Sequence, residues 1–166
     1  MFFDNISRFL QYSIATKNLL SEKSLYEFEK YYSSYLKNFD NYMYKYFAEQ
    51  TDEITHYISK ANNPKVLEIG SGCGTESLWF ALNNSKVLGI DLRNSRLEVA
   101  RERKKIIENH FNTKLDIKFM KADLFDFSSN YSGEKFDLIW MEQAYHHIEP
   151  REKLIPALKN ILKNNG

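Results

Sequence analysis

Hydrophobic positions recur every three or four residues in the first third of the chain, and this spacing predicts helices there. The first stripe follows a possible helix cap at Asp4 or Asn5 and consists of Ile6, Phe9, Leu10 and Ile14. A second stripe, which follows a cap at Ser21, predicts one long helix with a buried aromatic face. Its members are Leu25, Phe28, Tyr32, Tyr35, Phe39, Tyr42 and Tyr46. A third helix is expected from about residue 52 to residue 60.

After Pro64 the pattern changes to short β-branched runs that alternate with helical spacing. Strands are expected at residues 65–69, 86–90, 115–120 and 136–141. Helices are expected at residues 75–82, from a cap at Asn94 or Ser95 to residue 107, and at residues 151–163. This alternation implies right-handed crossovers and therefore a parallel sheet with helices on both faces. We expect an α/β fold in which a helical cap, residues 1–62, and a sheet domain, residues 63–166, form one compact unit.

Charge and composition narrow the classes of partner. The 166 residues include 23 Lys and Arg and 22 Asp and Glu, and neither sign forms a long block, so neither nucleic acid nor a membrane is an expected partner. The basic cluster at residues 101–105 is expected to be a solvated helix face. No apolar run approaches the ~20 residues that cross a bilayer. Because Cys73 is the single cysteine and the first residues lack a signal-peptide pattern, a cytoplasmic location is expected.

A glycine-rich turn follows the first predicted strand and reads Glu68-Ile69-Gly70-Ser71-Gly72-Cys73-Gly74-Thr75. Such a turn gathers backbone N–H groups at one point, and its glycines let a ligand approach the backbone closely. Asp91 ends the next strand about 20 residues later, where a carboxylate can accept both ribose hydroxyls of a nucleoside. A dinucleotide-binding turn that started at Gly70 would require glycine at position 75, which is Thr75.

The turn resembles the first motif of the class I S-adenosylmethionine-dependent methyltransferases, E/D-x-G-x-G-x-G, which here is Glu68, Gly70, Gly72 and Gly74. The resemblance extends over roughly residues 66–166. It includes the segments at residues 89–92, 121–124, 136–139 and 145–148. The resemblance implies a Rossmann-like fold, preceded here by the helical cap. The last strands of that family's seven-stranded sheet, a fifth strand and a final hairpin, are absent from this sequence.

The resemblance also implies which residues bind S-adenosylmethionine and its product, S-adenosylhomocysteine. The amino-acid end and the ribose would lie against Glu68, Gly70, Ser71, Gly72 and Gly74. In the same family pattern, Asp91 would hold the ribose hydroxyls and Leu92 would pack on adenine. The adenine amino group would donate to Asp123, and the backbone N–H of Leu124 would donate to the adenine ring.

Residues after the fourth strand are the candidates for contact with the reacting methyl group, and the resemblance places Met141 and Glu142 there. A general base is required only if the acceptor must lose a proton, and His146, His147 and Glu142 are then the nearest candidates. Adjacent side chains usually point apart, so the two histidines are expected to shape the loop, with catalysis as the alternative. The spacing of His, Cys, Asp and Glu predicts no metal site.

These observations leave more than one function open. The leading hypothesis is a methyltransferase, or its cofactor-binding fragment, that acts on a small-molecule acceptor. A non-catalytic module for binding or assembly is the alternative, and a nicotinamide-dependent oxidoreductase is disfavoured by Thr75. If the sheet has the usual strand order, the fourth strand is an open edge, which a second chain or a second copy is expected to cover.

Overall fold

The computed structural model describes residues 3, 5–33 and 41–166, and for residues 41–48 and 50 it describes only the backbone. The N-terminal part is helical and contains α1 (Ile6–Ala15), α2 (Glu22–Tyr31) and α3 (Asn41–Lys60), with a short 3-10 helix at Lys17–Leu19 between α1 and α2. Within the aromatic stripe, Tyr35 and Phe39 lie outside the described residues, as do the side chains of Tyr42 and Tyr46.

The N-terminal helices differ from the sequence prediction in their boundaries. Asn5 caps α1 as expected, because its side chain accepts from the backbone N–H of Arg8 at 2.9 Å. Ser21 occupies the predicted cap position of α2, but its side chain makes no capping bond, since its hydroxyl donates to Glu102 at 2.9 Å. The prediction of one long aromatic helix is wrong, because α2 ends at Tyr31. The helix predicted from residue 52 instead begins at residue 41.

A parallel sheet forms the centre of the described chain and confirms the predicted α/β architecture. Its strands are β1 (Lys65–Ile69), β2 (Lys86–Asp91), β3 (Ile117–Lys121) and β4 (Leu138–Trp140). Their order is β3-β2-β1-β4, and every pairing is parallel. The chain therefore reverses its direction of winding between β1 and β4, and the crevice at the carboxyl ends of such strands is where open α/β sheets bind ligands.

Each strand is followed along the chain by a helix. These helices are α4 (Thr75–Leu82), α5 (Asn94–His110), α6 (Leu124–Asn130) and α7 (Leu154–Ile161). The expected caps of α5 are wrong, because the cap position is Arg93, which makes no side-chain capping bond. The sequence analysis missed α6, which is only 7 residues long. The last predicted helix is shorter than expected, since a 3-10 turn at Arg151–Lys153 precedes α7, which ends at Ile161.

Both faces of the sheet are covered, which explains the continuous apolar run of β1. Val66 and Leu67 are adjacent in β1, and both are fully buried. Val66 belongs to a cluster that includes residues of α1, α3, α4 and α5. Leu67 belongs to a second cluster that includes residues of α6 and α7. The helices therefore lie on opposite faces of the sheet, and the N-terminal helices share a core with one of those faces.

The basic cluster on α5 is only partly the solvated face that the sequence suggested, since Lys105 is exposed but Arg101, Arg103 and Lys104 are not. Arg103 is 4% exposed, and Arg101 donates to the carbonyl of Phe119 at 3.0 Å. Lys104 donates to the carbonyl of Ile117 at 3.1 Å. Arg101 and Lys104 extend along β3 and reach its backbone carbonyls, whereas Arg103 is buried between the N-terminal helices and the glycine turn.

At the other side of the sheet, β4 is the outer strand, as expected from the usual strand order. The segment after α7 pairs with the residues just before β4. The backbone N–H of Phe136 donates to Ile161 at 2.8 Å, and that of Lys163 donates to the Phe136 carbonyl at 2.9 Å. In the part of the chain that the structure describes, β4 itself pairs only with β1. No helix among the described residues is long and apolar enough to span a membrane.

Candidate active site

A cavity of about 780 Å³ lies at the carboxyl ends of the strands. Its volume falls in the range of roughly 300–1,000 Å³ that is typical of small-molecule sites. The cavity brings together most of the residues that the sequence analysis assigned to a cofactor or to catalysis. Those that line it are Glu68, Gly70, Asp91, Leu92, Asp123, Leu124, Glu142, His146 and His147.

The glycine turn shapes one wall of this cavity, but its first amides are not free donors. The N–H groups of Gly70 and Ser71 both donate to the carbonyl of Ile90, at 2.8 and 3.0 Å. The N–H of Gly74 donates to the Ser71 carbonyl at 2.7 Å. The sequence argument that this turn presents its amides to a ligand is therefore wrong for these three groups, because they bind the turn to β2 and to itself.

Asp91 is held rigidly at the end of β2. Its Oδ2 accepts from the backbone N–H of Gly72 at 2.9 Å, and its Oδ1 accepts from the N–H of Arg93 at 2.7 Å. Asp91 is 7% exposed and lines the cavity. Each carboxylate oxygen can accept more than one hydrogen bond, so both retain the capacity to accept from a ligand hydroxyl.

Four predicted cofactor residues do not line the cavity. Ser71 is buried, and its hydroxyl has no hydrogen-bond partner among the described residues. Gly74 is required for packing, because a Cβ there would lie 2.8 Å from the ring of Phe119. Met141 is partly buried and packs on the apolar cluster around Leu67. Gly72 acts through its backbone N–H, which donates to Asp91, and does not itself line the cavity.

Glu68 and Glu76 form an acidic pair at the base of the cavity. Glu68 is 1% exposed and accepts a hydrogen bond from the hydroxyl of Ser77. Burial and the neighbouring Glu76 raise the pKa of Glu68 well above its ordinary range. Burial, with the charge of Glu142 adding to it, raises the pKa of Glu76 to about 7. Because the two carboxyl groups also hydrogen-bond to each other, the pair holds a proton near neutral pH.

Glu142 and the two histidines lie on the other wall, after β4. Burial raises the pKa of Glu142. His146 and His147 belong to a short 3-10 helix, Tyr145–His147, and their ring centroids are 3.9 Å apart. The expectation that their side chains point apart is wrong, since both line the same cavity. Among the described residues, no group of three His, Cys, Asp or Glu side chains is placed to hold a metal ion.

Asp123 joins the cavity to the start of α6. Its Oδ1 caps the helix by accepting from the backbone N–H groups of Phe125 and Asp126, at 2.8 and 3.2 Å. The N–H of Ala122 donates to the carbonyl of Asp91 at 3.2 Å, which fixes this segment beside β2. Leu124 is 5% exposed and lines the cavity. Asp91 and Asp123 therefore open onto the same cavity.

The sequence analysis missed two side chains that close the cavity from the N-terminal side. Tyr31 lies against the glycine turn, since a Cβ at Gly72 would be only 2.4 Å from its hydroxyl oxygen. The guanidinium of Arg96 lies over the Tyr31 ring, 4.5 Å from its centroid. Tyr31 lies within the predicted aromatic helix. The direction of its ring depends on the end of α2 at Tyr31, which the sequence did not predict. Nothing in the sequence around Arg96 indicates its position.

A family model described as a methyltransferase domain matches residues 66–166. A ubiquinone biosynthesis O-methyltransferase of Pasteurella multocida (strain Pm70) is 28% identical over 129 residues, which are 73% of this chain and 48% of that protein. A release factor glutamine methyltransferase of Fusobacterium nucleatum is 30% identical over 118 residues, which are 69% of this chain and 31% of that protein. The chain thus spans about half, or less, of the length of these relatives.

The fold is shared with solved structures. A magnesium protoporphyrin IX methyltransferase from Synechocystis PCC 6803, solved with bound SAH, has a TM-score of 0.55 and 18% sequence identity. The match covers 69% of this chain and 51% of that one. At this identity the likeness concerns the fold, and it agrees with the Rossmann-like sheet described above.

Proposed function

The chain belongs to the methyltransferase domain family, and on that premise we propose that it is an S-adenosylmethionine-dependent methyltransferase, or the cofactor-binding part of one, that acts on a small-molecule acceptor. The observation that carries the proposal is the meeting of Glu68, Asp91 and Asp123 in one cavity beside a glycine turn. These carboxylates come from three separate segments of the chain, so a turn that merely connects β1 to α4 does not account for their convergence.

The residues present fit the cofactor. The Asp91 oxygens keep the capacity to accept from two ribose hydroxyls, although each already accepts one backbone amide. The Glu68–Glu76 pair shares one proton near neutral pH and keeps at most one negative charge, which suits a nearby ammonium group or sulfonium. Asp123 uses Oδ1 for the helix cap, which leaves Oδ2 for an adenine amino group. Leu92, which is 62% exposed, offers an apolar surface for adenine.

When bound, the sulfonium cofactor supplies an activated methyl donor. The task of this chain is then to orient the acceptor and exclude water, because positioning alone can account for many orders of magnitude in rate. If the acceptor must lose a proton, Glu142, His146 and His147 are the proposed bases, since they lie together on the wall after β4.

Small-molecule acceptors are favoured over nucleic acids by the charge balance of the chain and by its relatives. The curated protein from Pasteurella multocida is named for an O-methyl transfer in ubiquinone biosynthesis. Tyr31 and Tyr32, which line the cavity on the N-terminal side, would give the acceptor an aromatic environment. The same proposal includes a cytoplasmic location, supported by the free thiol of Cys73, which is typical of reducing compartments.

We also propose the division of the chain into a cap, residues 1–62, and a cofactor domain, residues 63–166, which pack as one unit. The shared cluster of Ile6, Phe9 and Ile58 with Val66 supports it. A second chain or a second copy is proposed to cover β4, because the segment at Leu162 reaches only the residues before that strand. Light scattering is expected to show a dimer or a larger assembly, and a stable monomer that does not aggregate would contradict this part of the proposal.

Calorimetric titration tests the function. S-adenosylhomocysteine is expected to bind with one site per chain, while NAD does not bind. Asp91→Ala is expected to weaken binding at least about 100-fold, because two hydrogen bonds to a charged group contribute about 1.5–3 kcal/mol each. The matched control is Asp116→Ala, which removes an exposed carboxylate beside β3 and should leave the affinity unchanged.

The other outcomes of this titration identify the alternatives. Binding of NAD without S-adenosylhomocysteine would indicate an oxidoreductase. A folded chain that binds neither compound would indicate a non-catalytic module, for which the open edge of β4 is the available interaction surface. Unchanged affinity in Asp91→Ala would show that the ribose lies elsewhere.

A further inference from the structure

A buried guanidinium links the N-terminal helices to the glycine turn. Arg103 lies on α5 and is 4% exposed. One of its amino groups, Nη1, donates to the carbonyl of Cys73 at 2.6 Å and to the hydroxyl oxygen of Thr75 at 3.0 Å. The other, Nη2, donates to the hydroxyl oxygen of Ser13 on α1 at 2.7 Å. A single side chain therefore connects α1 with the last part of the turn.

The surroundings of Arg103 reinforce this connection. The hydroxyl of Tyr32, just after α2, hydrogen-bonds the same Thr75 oxygen that Arg103 contacts. The guanidinium also lies 5.2 Å from the ring centroid of Phe28 on α2 and 6.0 Å from that of Phe9 on α1. Among the described residues, no carboxylate forms an ion pair with it. Its direct contacts are a carbonyl, two hydroxyl groups and the faces of two aromatic rings.

Packing alone does not require an arginine at this place. Position 103 continues the buried stripe of α5, where Ala100 and Ile107 are apolar. An apolar side chain there would avoid the cost of burying a charge. The distinctive property of arginine is its rigid set of donors, which can hold several acceptors in fixed relative positions.

We propose that Arg103 is a positioning residue that fastens α1 and α2 to the Cys73–Thr75 part of the glycine turn, so that docking of the cap and binding of the cofactor stabilise each other. Only while the cap is docked does the turn keep the shape in which the N–H of Gly72 donates to Asp91. A ligand that requires this shape stabilises the docked cap by the same free energy, because coupling between two sites is reciprocal. This inference rests on the proposed function only for the identity of the ligand.

Cys73 gives a readout that needs no cofactor. It is the only cysteine of the chain, it is fully buried, and it packs against Leu10 and Phe28 of the cap. Burial raises the pKa of its thiol to about 12, so a thiol reagent reacts with it only when the cap separates from the turn. The rate of Cys73 labelling in the absence of ligand therefore reports cap opening.

The test compares Arg103→Met with Ser13→Ala, which removes only the acceptor on α1, and with Lys105→Met, an exposed control on the same helix. Labelling of Cys73 with a chromogenic disulfide is measured at several low urea concentrations, alongside global unfolding followed by circular dichroism. Local opening depends little on urea, whereas global unfolding depends on it strongly. We expect faster labelling that is nearly independent of urea in Arg103→Met and, less strongly, in Ser13→Ala, with no change in Lys105→Met.

Calorimetry then measures the coupling. In Arg103→Met the affinity for S-adenosylhomocysteine is expected to fall by about tenfold, within the roughly 5- to 150-fold that is typical of coupled sites. The inference is overturned if labelling in both variants follows global stability alone, or if the affinity of folded Arg103→Met is unchanged. If Arg103→Met does not fold, Ser13→Ala decides by the same criteria. If the unaltered chain binds no S-adenosylhomocysteine, the proposed function fails, and the labelling result alone decides the role of Arg103.

Discussion

The backbone N–H of Gly72 donates to Oδ2 of Asp91 at 2.9 Å, so the glycine turn and the end of β2 form one unit. The neighbouring amides of Gly70 and Ser71 bind the same strand through the carbonyl of Ile90. The position of the Asp91 carboxylate is therefore set by the conformation of the turn. A change in that conformation should alter ligand binding even when it leaves every contacting side chain in place.

Gly72→Ala tests this dependence. Gly72 has a φ of 49°, and a Cβ there would meet the hydroxyl oxygen of Tyr31 at 2.4 Å. We expect a loss in the free energy of unfolding of about 1–2 kcal/mol from the left-handed backbone, and a further loss from the contact with Tyr31. Urea unfolding measures both, and Tyr31→Ala in the same chain should recover only the second. Equal stability of Gly72→Ala and the unaltered chain would contradict the geometry of the turn.

Stability should depend on pH through Glu76. Burial raises its pKa from 4.5 to about 7, so in this window the folded chain holds a proton that the unfolded chain has released. The free energy of unfolding should therefore fall as the pH rises from 4.5 to 7, by at most ~1.4 kcal/mol per pH unit for one carboxyl group. Glu76→Gln should reduce this slope without abolishing it, because burial also raises the pKa of Glu68, and urea unfolding at several pH values measures the change. The same slope in both chains would contradict the assignment, and the exposed Glu152→Gln serves as control.

The two roles of Asp123 can be separated by Asp123→Ser. Serine retains an oxygen that caps α6, so stability should change little, whereas Asp123→Ala should lose about 0.5–2 kcal/mol. Asp123→Ser should still weaken binding of S-adenosylhomocysteine, because the contact with the adenine amino group is lost. S-inosylhomocysteine, which has a carbonyl oxygen in place of that amino group, should lose no affinity in the serine variant, because a carboxylate cannot donate to that oxygen. A comparable loss for both ligands would place adenine away from Asp123.

The parts of this structure that local sequence determines were predictable. The strand at β1 and the helix that starts at Thr75 follow from a β-branched run, three glycines and a change of period, and both have the expected bounds. The convergence of Asp91 and Asp123 follows from the parallel strand order, because the carboxyl ends of parallel strands lie at the same edge. These predictions required no knowledge of how the helices face each other.

Features that depend on helix orientation were not predictable in the same way. Glu76 is the second residue of α4 and lines the cavity, which depends on the face of α4 that packs against the sheet. The burial of Arg103 had a signal, since it occupies a position in the apolar stripe of α5, but the neighbouring charges of Arg101 and Lys105 obscured it. The amides of Gly70 and Ser71 donate to the carbonyl of Ile90, and this depends on the register between β1 and β2. The sequence of the turn does not predict that register.

The most direct test of the cofactor site is a titration of the ¹⁵N-labelled chain with S-adenosylhomocysteine, followed by amide chemical shifts. We expect the largest changes at Gly72, Leu92 and Leu124, which surround Asp91 and Asp123, and little change along α7. Changes of this pattern that saturate at one ligand per chain would support the site. An unchanged spectrum, or changes confined to residues outside this cavity, would contradict it.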